Sequence, residues 1–379
     1  MGAKILVSGG SRCNVTNRIV TERDFWGGAS RTVRQVLRAF PSERAATFFT
    51  DLGVALHEEE DGKLFPDTHR SRTVLDALLA ELARCSVTLE TQRRVVSITR
   101  AADAFVIECS GAPAVRARAV VLATGGRSLP KSGSDGAGYV LAKHLGHRLV
   151  DTSPALAPLV LDDTWHAALS GVAHRAEASL LVGGKLQGRF SGDWLWTHFG
   201  ASGPLALNLS RHWHRAELEA TPGEVQLSMC PGETFETVDA WLLEQRTARP
   251  RAQLVTVLST RLPASVAETW LRRTSIEPST VLAQLARDER RALVHALTAT
   301  RLSVRGSRGY QYAEVTAGGV ALDEVNPATL ESRVCPGLYL VGEILDVDGR
   351  LGGFNFQWAW SSGFVAGTAA ARALADSVS

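Results

Sequence analysis

Short apolar runs and amphipathic helical stretches alternate along the first 150 residues. Lys4–Val7 is β-branched and stops at Ser8-Gly9-Gly10, which predicts a strand running into a turn. In Thr32–Leu52 the apolar residues Val33, Val36, Leu37 and Phe40, then Phe48, Phe49 and Leu52, predict two helices broken at Pro41. Arg72–Ala83 carries the helical stripe Val74, Leu75, Leu78, Leu79 and Leu82. Val87–Leu89, Val95–Ile98 and Phe105–Ile107 read as strands of a small antiparallel element. Ala119–Ala123, bounded by Thr-Gly-Gly, suits a strand buried on both faces.

Past Asp151 the texture changes. Pro154 and Pro158 mark a linker, and short alternating segments through about Leu227 predict a β-rich unit. Thr237–Ala299 turns helical and arginine-rich. After Tyr312 the strand-and-glycine texture returns and ends in a small-residue helix from Ala359 to Ala375. The arrangement predicted is an α/β domain built from both chain ends (1–150 and 315–379). An insert fills 151–314, β-rich over 151–230 and helical over 231–314.

With 379 residues the chain suits two to three domains of roughly 150 each. Hydrophobic residues are 45% and charged residues 21%, which excludes disordered and fibrous classes. No apolar run is long enough for a transmembrane helix, and the short run before Ser8 is no signal peptide. Five scattered cysteines without a C-x-x-C pair point to a reducing cytoplasm and no disulfide framework.

Arginine supplies 36 of the 41 basic residues, yet the net charge is only +2. The exception is Trp241–Tyr310, with twelve arginines against five acids. These arginines are dispersed, Arg287 and Arg291 flank Asp288 and Glu289 as local pairs, and aromatics are sparse. The expectation is therefore a solvated lid and no nucleic-acid partner.

Three glycine turns follow predicted strands: Ser8–Asn14, Thr124–Gly126 and Gly352–Gln357. Adjacent glycines let backbone approach a ligand and aim N–H groups at an anion. The ends of strands in open α/β sheets are where nucleotides bind. The apolar Gly337–Val341 leads to Gly342-Glu343, whose carboxylate can accept from a sugar or polyol hydroxyl. In the bland reading, Asp346, Asp348 and Gly349 form a surface turn, and Trp358 and Trp360 are core or interface aromatics. Neither His144/His147 nor His212/His214 has a Cys or carboxylate at metal spacing, so no metal site is expected. Cys13, beside Arg12, is expected to pack or to touch a cofactor.

The segments KILVSGGSRCNVTN (4–17), ATGGRSLPKSGSDGAGY (123–139), THFGASGP (197–204), VTAGGV (315–320) and GLYLVGEILDVDGRLGGFNFQWAWSSGFVAG (337–367) closely resemble the BaiN-like flavoproteins. These are also known as the aminoacetone-oxidase family of NAD(P)/FAD-dependent oxidoreductases. The resemblance runs from Gly2 to the C-terminus. It implies a two-dinucleotide-type FAD-binding Rossmann-like domain interrupted by a β-rich plus helical insert. It also implies that FAD is lined by Ser8, Gly9, Gly10, Arg12, Cys13, Asn14, Val95, Thr124, Gly125, Gly126, Gly342, Glu343, Asp346, Gly352, Gly353, Asn355 and Gln357. His198, in the Thr-His-Phe-Gly segment, is the candidate proton-transfer group. The activity implied is hydride transfer between a small organic substrate and flavin, with NAD(P)H as electron partner. The sequence leaves the oligomeric state open.

Two departures accompany the match. Ser11 stands where the family has glycine, and no G-x-G-x-x-G unit precedes Lys4. A βαβ unit of about 35–45 residues is expected there. Without it the chain is expected to fold poorly and take up no FAD, so the alternative reading is a non-catalytic remnant or a truncated reading frame.

Overall fold

A computed structural model describes residues 2–376. The chain is α/β and divides into two compact units, one of residues 1–155 and 310–379, the other of 156–309.

The first unit is tied together by a parallel pairing between distant segments: Val120–Leu122 lies beside Leu338–Leu340, with Val120 opposite Leu338. The outer side of this pair stays open. Val121 is 43% exposed, so the expected burial of this strand on both faces does not hold. Val315–Val320 is buried throughout and pairs antiparallel with Leu149–Ala155. Its register slips between Ala317 and Gly319, where Gly318 takes φ +84°; a Cβ there would stand 2.3 Å from the Asp151 carbonyl oxygen. Only glycine fits that bulge.

The two helices around Pro41 form as Ser30–Ala39 and Ser42–Asp51, and the next stripe as Ser71–Arg84. The antiparallel element is a meander of Val95–Arg100, Phe105–Cys109 and Ala112–Ala117. Val87–Leu89 belongs to no strand; Val87 and Leu89 are exposed, so their side chains have no face to bury. The C-terminal helix begins earlier than its small residues suggest, spanning Phe354–Asp376 and burying Phe354, Trp358, Val365 and Ala366. It packs in one core with Val33, Val36, Leu37, Phe105, Leu122 and Tyr339.

Lys4–Val7 is not a strand but the start of the helix Ala3–Ser11. Leu6 donates its N–H to Gly2, the Ser71 hydroxyl donates to the Leu6 carbonyl, and Ile5 turns onto the Phe49, Val54 and Val74 cluster. A four-residue apolar run fits either element, and tertiary contacts chose the helix. Helical backbone stops at Ser8 (φ −67°, ψ 150°), and Gly9 and Gly10 are left-handed. This glycine turn therefore follows a helix rather than a strand.

In the second unit a seven-stranded antiparallel sheet runs Thr300–Leu302, Gly223–Ser228, Ala173–Val182, Lys185–Thr197, Gly200–Ser202, Leu159–Leu161, Val304–Ser307. The helices Phe235–Ala248, Ala264–Arg273 and Arg287–Ala299 share one core with it, centred on Trp194, Trp196 and Trp270. The stretch expected to be β-rich also holds a 16-residue helix, Gly203–Leu218. Its buried Leu205, Ala206, Leu209, Trp213 and Ala216 keep helical spacing, joined by the buried Ser210, while Asn208, His212 and His214 are only partly buried.

Arginines of this unit engage local partners. Arg290 pairs with Asp239 at 2.7 Å, Arg272 with Glu268, and Arg301 with Glu224. Arg273 lies 4.0 Å over Trp165 and Arg261 3.9 Å over Trp241. The expected pairing of Arg291 with its neighbouring acids is replaced: Arg291 lies over Phe235, and Glu289 accepts the Ala286 N–H at the helix start.

Burial pushes His212 and His214 down to about 4, with Arg211 adding to the effect on His212. Both are neutral in the folded unit, whereas unfolded histidine titrates near 6.5. Acidification from about pH 6.5 toward about pH 4 therefore protonates the unfolded chain first and lowers stability, by up to about 1.4 kcal/mol per pH unit for each histidine. Thermal melting across this window should show the loss. A His212→Gln/His214→Gln variant should flatten it, and an unchanged slope would refute the assignment.

Candidate functional site

The strand Val120–Leu122 ends in Ala123-Thr124-Gly125-Gly126, and this turn meets Gly342-Glu343 around Thr316. A Cβ on Gly126 would stand 2.5 Å from Thr316 Oγ1 and 2.8 Å from Glu343 Oε1, so side-chain-free backbone is required. Thr316 is fully buried, and its Oγ1 accepts the N–H groups of Arg127 (2.8 Å) and Ser128 (3.1 Å). The Thr316 N–H donates to Glu343 Oε1 at 2.9 Å, and the Ser128 hydroxyl donates to the same oxygen. Lys4 Nζ pairs with Glu343 Oε2 and donates to Ser128 Oγ at 2.6 Å. The carboxylate expected to face a sugar hydroxyl is thus held by three groups of the protein itself.

Gly342, at φ +70°, is anchored by the C-terminal helix: its N–H donates to Ser362 Oγ, and Trp358 Nε1 donates to its carbonyl. Thr124 packs on Gly138, where a Cβ would meet its hydroxyl.

A second cluster gathers where the Gly352-Gly353 turn opens that helix. Gly353 presses on the Thr16 carbonyl, where a Cβ would stand 2.6 Å away. Thr16 donates to Gln357 Oε1 at 2.6 Å, and Gln357 Nε2 donates to the Phe40 carbonyl and to Ser361 Oγ. Asn17 donates to the Gly352 carbonyl, and Asn355 pairs with both backbone groups of Gly349. Gln357 and Asn355, expected at a cofactor, are therefore bound up in holding the turn.

Asn14 differs. It is buried, its Oδ1 has no hydrogen-bond partner among the described residues, and it stands beside Gly353. Ser134 Oγ is likewise without a partner, next to Gly125. Around Gly10 the space for a Cβ is empty.

The remaining expected residues are placed as follows. Ser8 donates its hydroxyl to the Ile5 carbonyl. Arg12 pairs with Glu59 at 2.6 Å and lies over the Phe65 ring. Cys13 is fully buried, and desolvation pushes its thiol up to about 11 against a Ser8 hydrogen bond, which makes it a packed, protonated thiol. Val95 opens the meander opposite Cys109, half-buried on the core. Asp346 and Asp348 are buried rather than in a surface turn. The strand Val347–Gly349 pairs with Phe25–Gly27, and the Asp346 carbonyl accepts from Gly28 N–H. His198 belongs to the second unit, exposed in the turn between Lys185–Thr197 and Gly200–Ser202, its ring edge-on to Phe199.

Sequence reasoning missed Lys4, Ser128 and Thr316 as site residues. The signal for Thr316 was a lone hydroxyl inside an otherwise apolar strand ahead of Gly-Gly. His147, set aside as a metal ligand, is buried between Glu324 Oε2 (2.8 Å) and Ser332 Oγ (2.9 Å).

Thr316→Val leaves two N–H groups without their acceptor, at about 1–3 kcal/mol for each buried group. Thermal melting should place Thr316→Val well below Thr316→Ser, which keeps the oxygen; equal stabilities would remove Thr316 from its anchoring role.

The sequence family described as the HI0933-like protein Rossmann domain matches residues 1–369. The ribosomal RNA dihydrouridine synthase of Escherichia coli (strain K12) is 35% identical over 364 residues, covering 95% of this chain and 87% of that protein. The 3-dehydro-bile acid delta(4,6)-reductase of Clostridium scindens is 34% identical over 374 residues, covering 98% and 90%. The ribosomal RNA dihydrouridine synthase of Haemophilus influenzae is 29% identical over 378 residues, covering 98% and 90%.

Proposed function

The chain belongs to the HI0933-like Rossmann-domain family, and on that premise we propose that it is an FAD-dependent reductase of carbon–carbon double bonds conjugated to a carbonyl. The observation that carries the reading is the meeting of the Thr124–Gly126 turn with Gly342-Glu343 around Thr316, which offers glycine backbone and a carboxylate in one place. The unpartnered Asn14 Oδ1 and Ser134 Oγ, each beside a glycine of a turn, supply buried polar atoms suited to a dinucleotide. Glu343 would exchange Lys4 or Ser128 for a ribityl hydroxyl. The relatives' names support the reaction type, since forming dihydrouridine and reducing a delta(4,6) unsaturation both saturate a carbon–carbon double bond.

Bound flavin supplies the hydride, and NAD(P)H is the proposed source of its electrons. The chain's own part is to orient the substrate, exclude water and deliver a proton. A small conjugated ketone is the first substrate reading. A uridine of ribosomal RNA is the second, favoured by the names of two relatives.

Purified protein should show a flavin absorption band, and NAD(P)H should bleach it without oxygen. Protein that takes up no FAD would sink the proposal. Product formation with a conjugated ketone, set against titration with ribosomal RNA at about 50 and 200 mM salt, separates the two substrates.

A further inference from the structure

The hairpin of Leu56–Glu59 and Lys63–Pro66 carries a cluster outside the site described above. Alternation along the first strand puts His57 and Glu59 on one face. Beyond the second strand the chain stays alongside, the Asp67 N–H donating to the Ala55 carbonyl at 3.0 Å. His69 follows in the left-handed region at φ +51°, its N–H bonded to the Pro66 carbonyl. That conformation turns its ring edge-on to His57, with centroids 4.7 Å apart. One donor atom from each of His57, Glu59 and His69 lies within 4.8 Å of the others. His57 Nδ1 is 3.0 Å from Asp67 Oδ1, and its Nε2 is 3.3 Å from Glu59 Oε1.

We propose that this cluster binds a divalent transition cation of the zinc class through His57 Nε2, a Glu59 carboxylate oxygen and His69. Two imidazoles and one carboxylate suit zinc, cobalt or nickel; magnesium and calcium prefer oxygen donors throughout. Donors around tetrahedral zinc stand roughly 3.3 Å apart. The spacing seen here closes by rotation of His69, which is exposed. Asp67 is the outer partner: accepting the Nδ1–H of His57, it fixes the tautomer that aims the Nε2 lone pair at the metal. The fourth position opens to solvent. Arg12, bonded to Glu59 Oε1 at 2.6 Å, is the cation that competes for this carboxylate. Sequence spacing concealed the site, because His57 and His69 come together only through the turn at Glu60–Gly62 and the return strand.

Calorimetric titration of the full chain with ZnCl2 is expected to show one ion per chain. His57→Gln and His69→Gln should each weaken binding about tenfold or more, and Asp67→Asn should weaken it also. Arg12→Gln should tighten it. With CoCl2 the absorption should lack a thiolate-to-cobalt band, since the ligands are nitrogen and oxygen. Absence of zinc uptake, undiminished affinity in the His57→Gln/His69→Gln double variant, or a thiolate band would each overturn the proposal. Melting curves check folding, and the exposed His69 carries the test should His57→Gln lower stability.

Discussion

A carboxylate held inside the first unit is the constraint on which its architecture turns. Withdrawing a charge from water costs several kcal/mol unless partners replace the lost hydration. The Glu343 side chain is only 14% exposed, and it takes the ammonium of Lys4, the hydroxyl of Ser128 and the N–H of Thr316. Those partners come from the first helix, the turn after a parallel strand, and a strand near the chain's far end. No one segment can bury Glu343 favourably alone. The unit therefore forms as a whole from both ends of the chain, or its carboxylate stays uncompensated.

The C-terminal helix imposes a second division of labour. Gln357, Trp358 and Ser362 spend their polar groups on the Phe40 carbonyl, the Gly342 carbonyl and the Gly342 N–H. Asn355 and Asn17 do the same for the glycine turn. Residues that look alike in a motif thus separate into braces and ligand candidates. Asn14 Oδ1 and Ser134 Oγ instead stay without a partner among the described residues, each beside the backbone of a turn glycine.

The second unit is governed by its aromatic core. Trp165 meets Trp196 and Trp270 edge to face, Arg273 lies over Trp165, and Arg261 lies over Trp241, so these arginines stack on aromatic rings rather than forming a basic stripe. A stretch that reads as strongly positive along the chain is, in space, largely a set of local pairs.

Three helices were legible in the sequence from apolar stripes between clear stops: Ser30–Ala39, Ser42–Asp51 and Ser71–Arg84. The strand before Thr124-Gly125-Gly126 was equally legible, and so was the family, through motifs spread over the chain. Only the tertiary structure decided that Lys4–Val7 is helical, that Gly203–Leu218 interrupts a β-rich stretch, and that Asp348 is buried. It alone decided the partners of Glu343 and the company of His57 and His69. Periodicity records the hydrogen bonds a segment makes with itself. Whether a polar group is paired, and whether a short apolar run is a strand, depends on which distant segment reaches it.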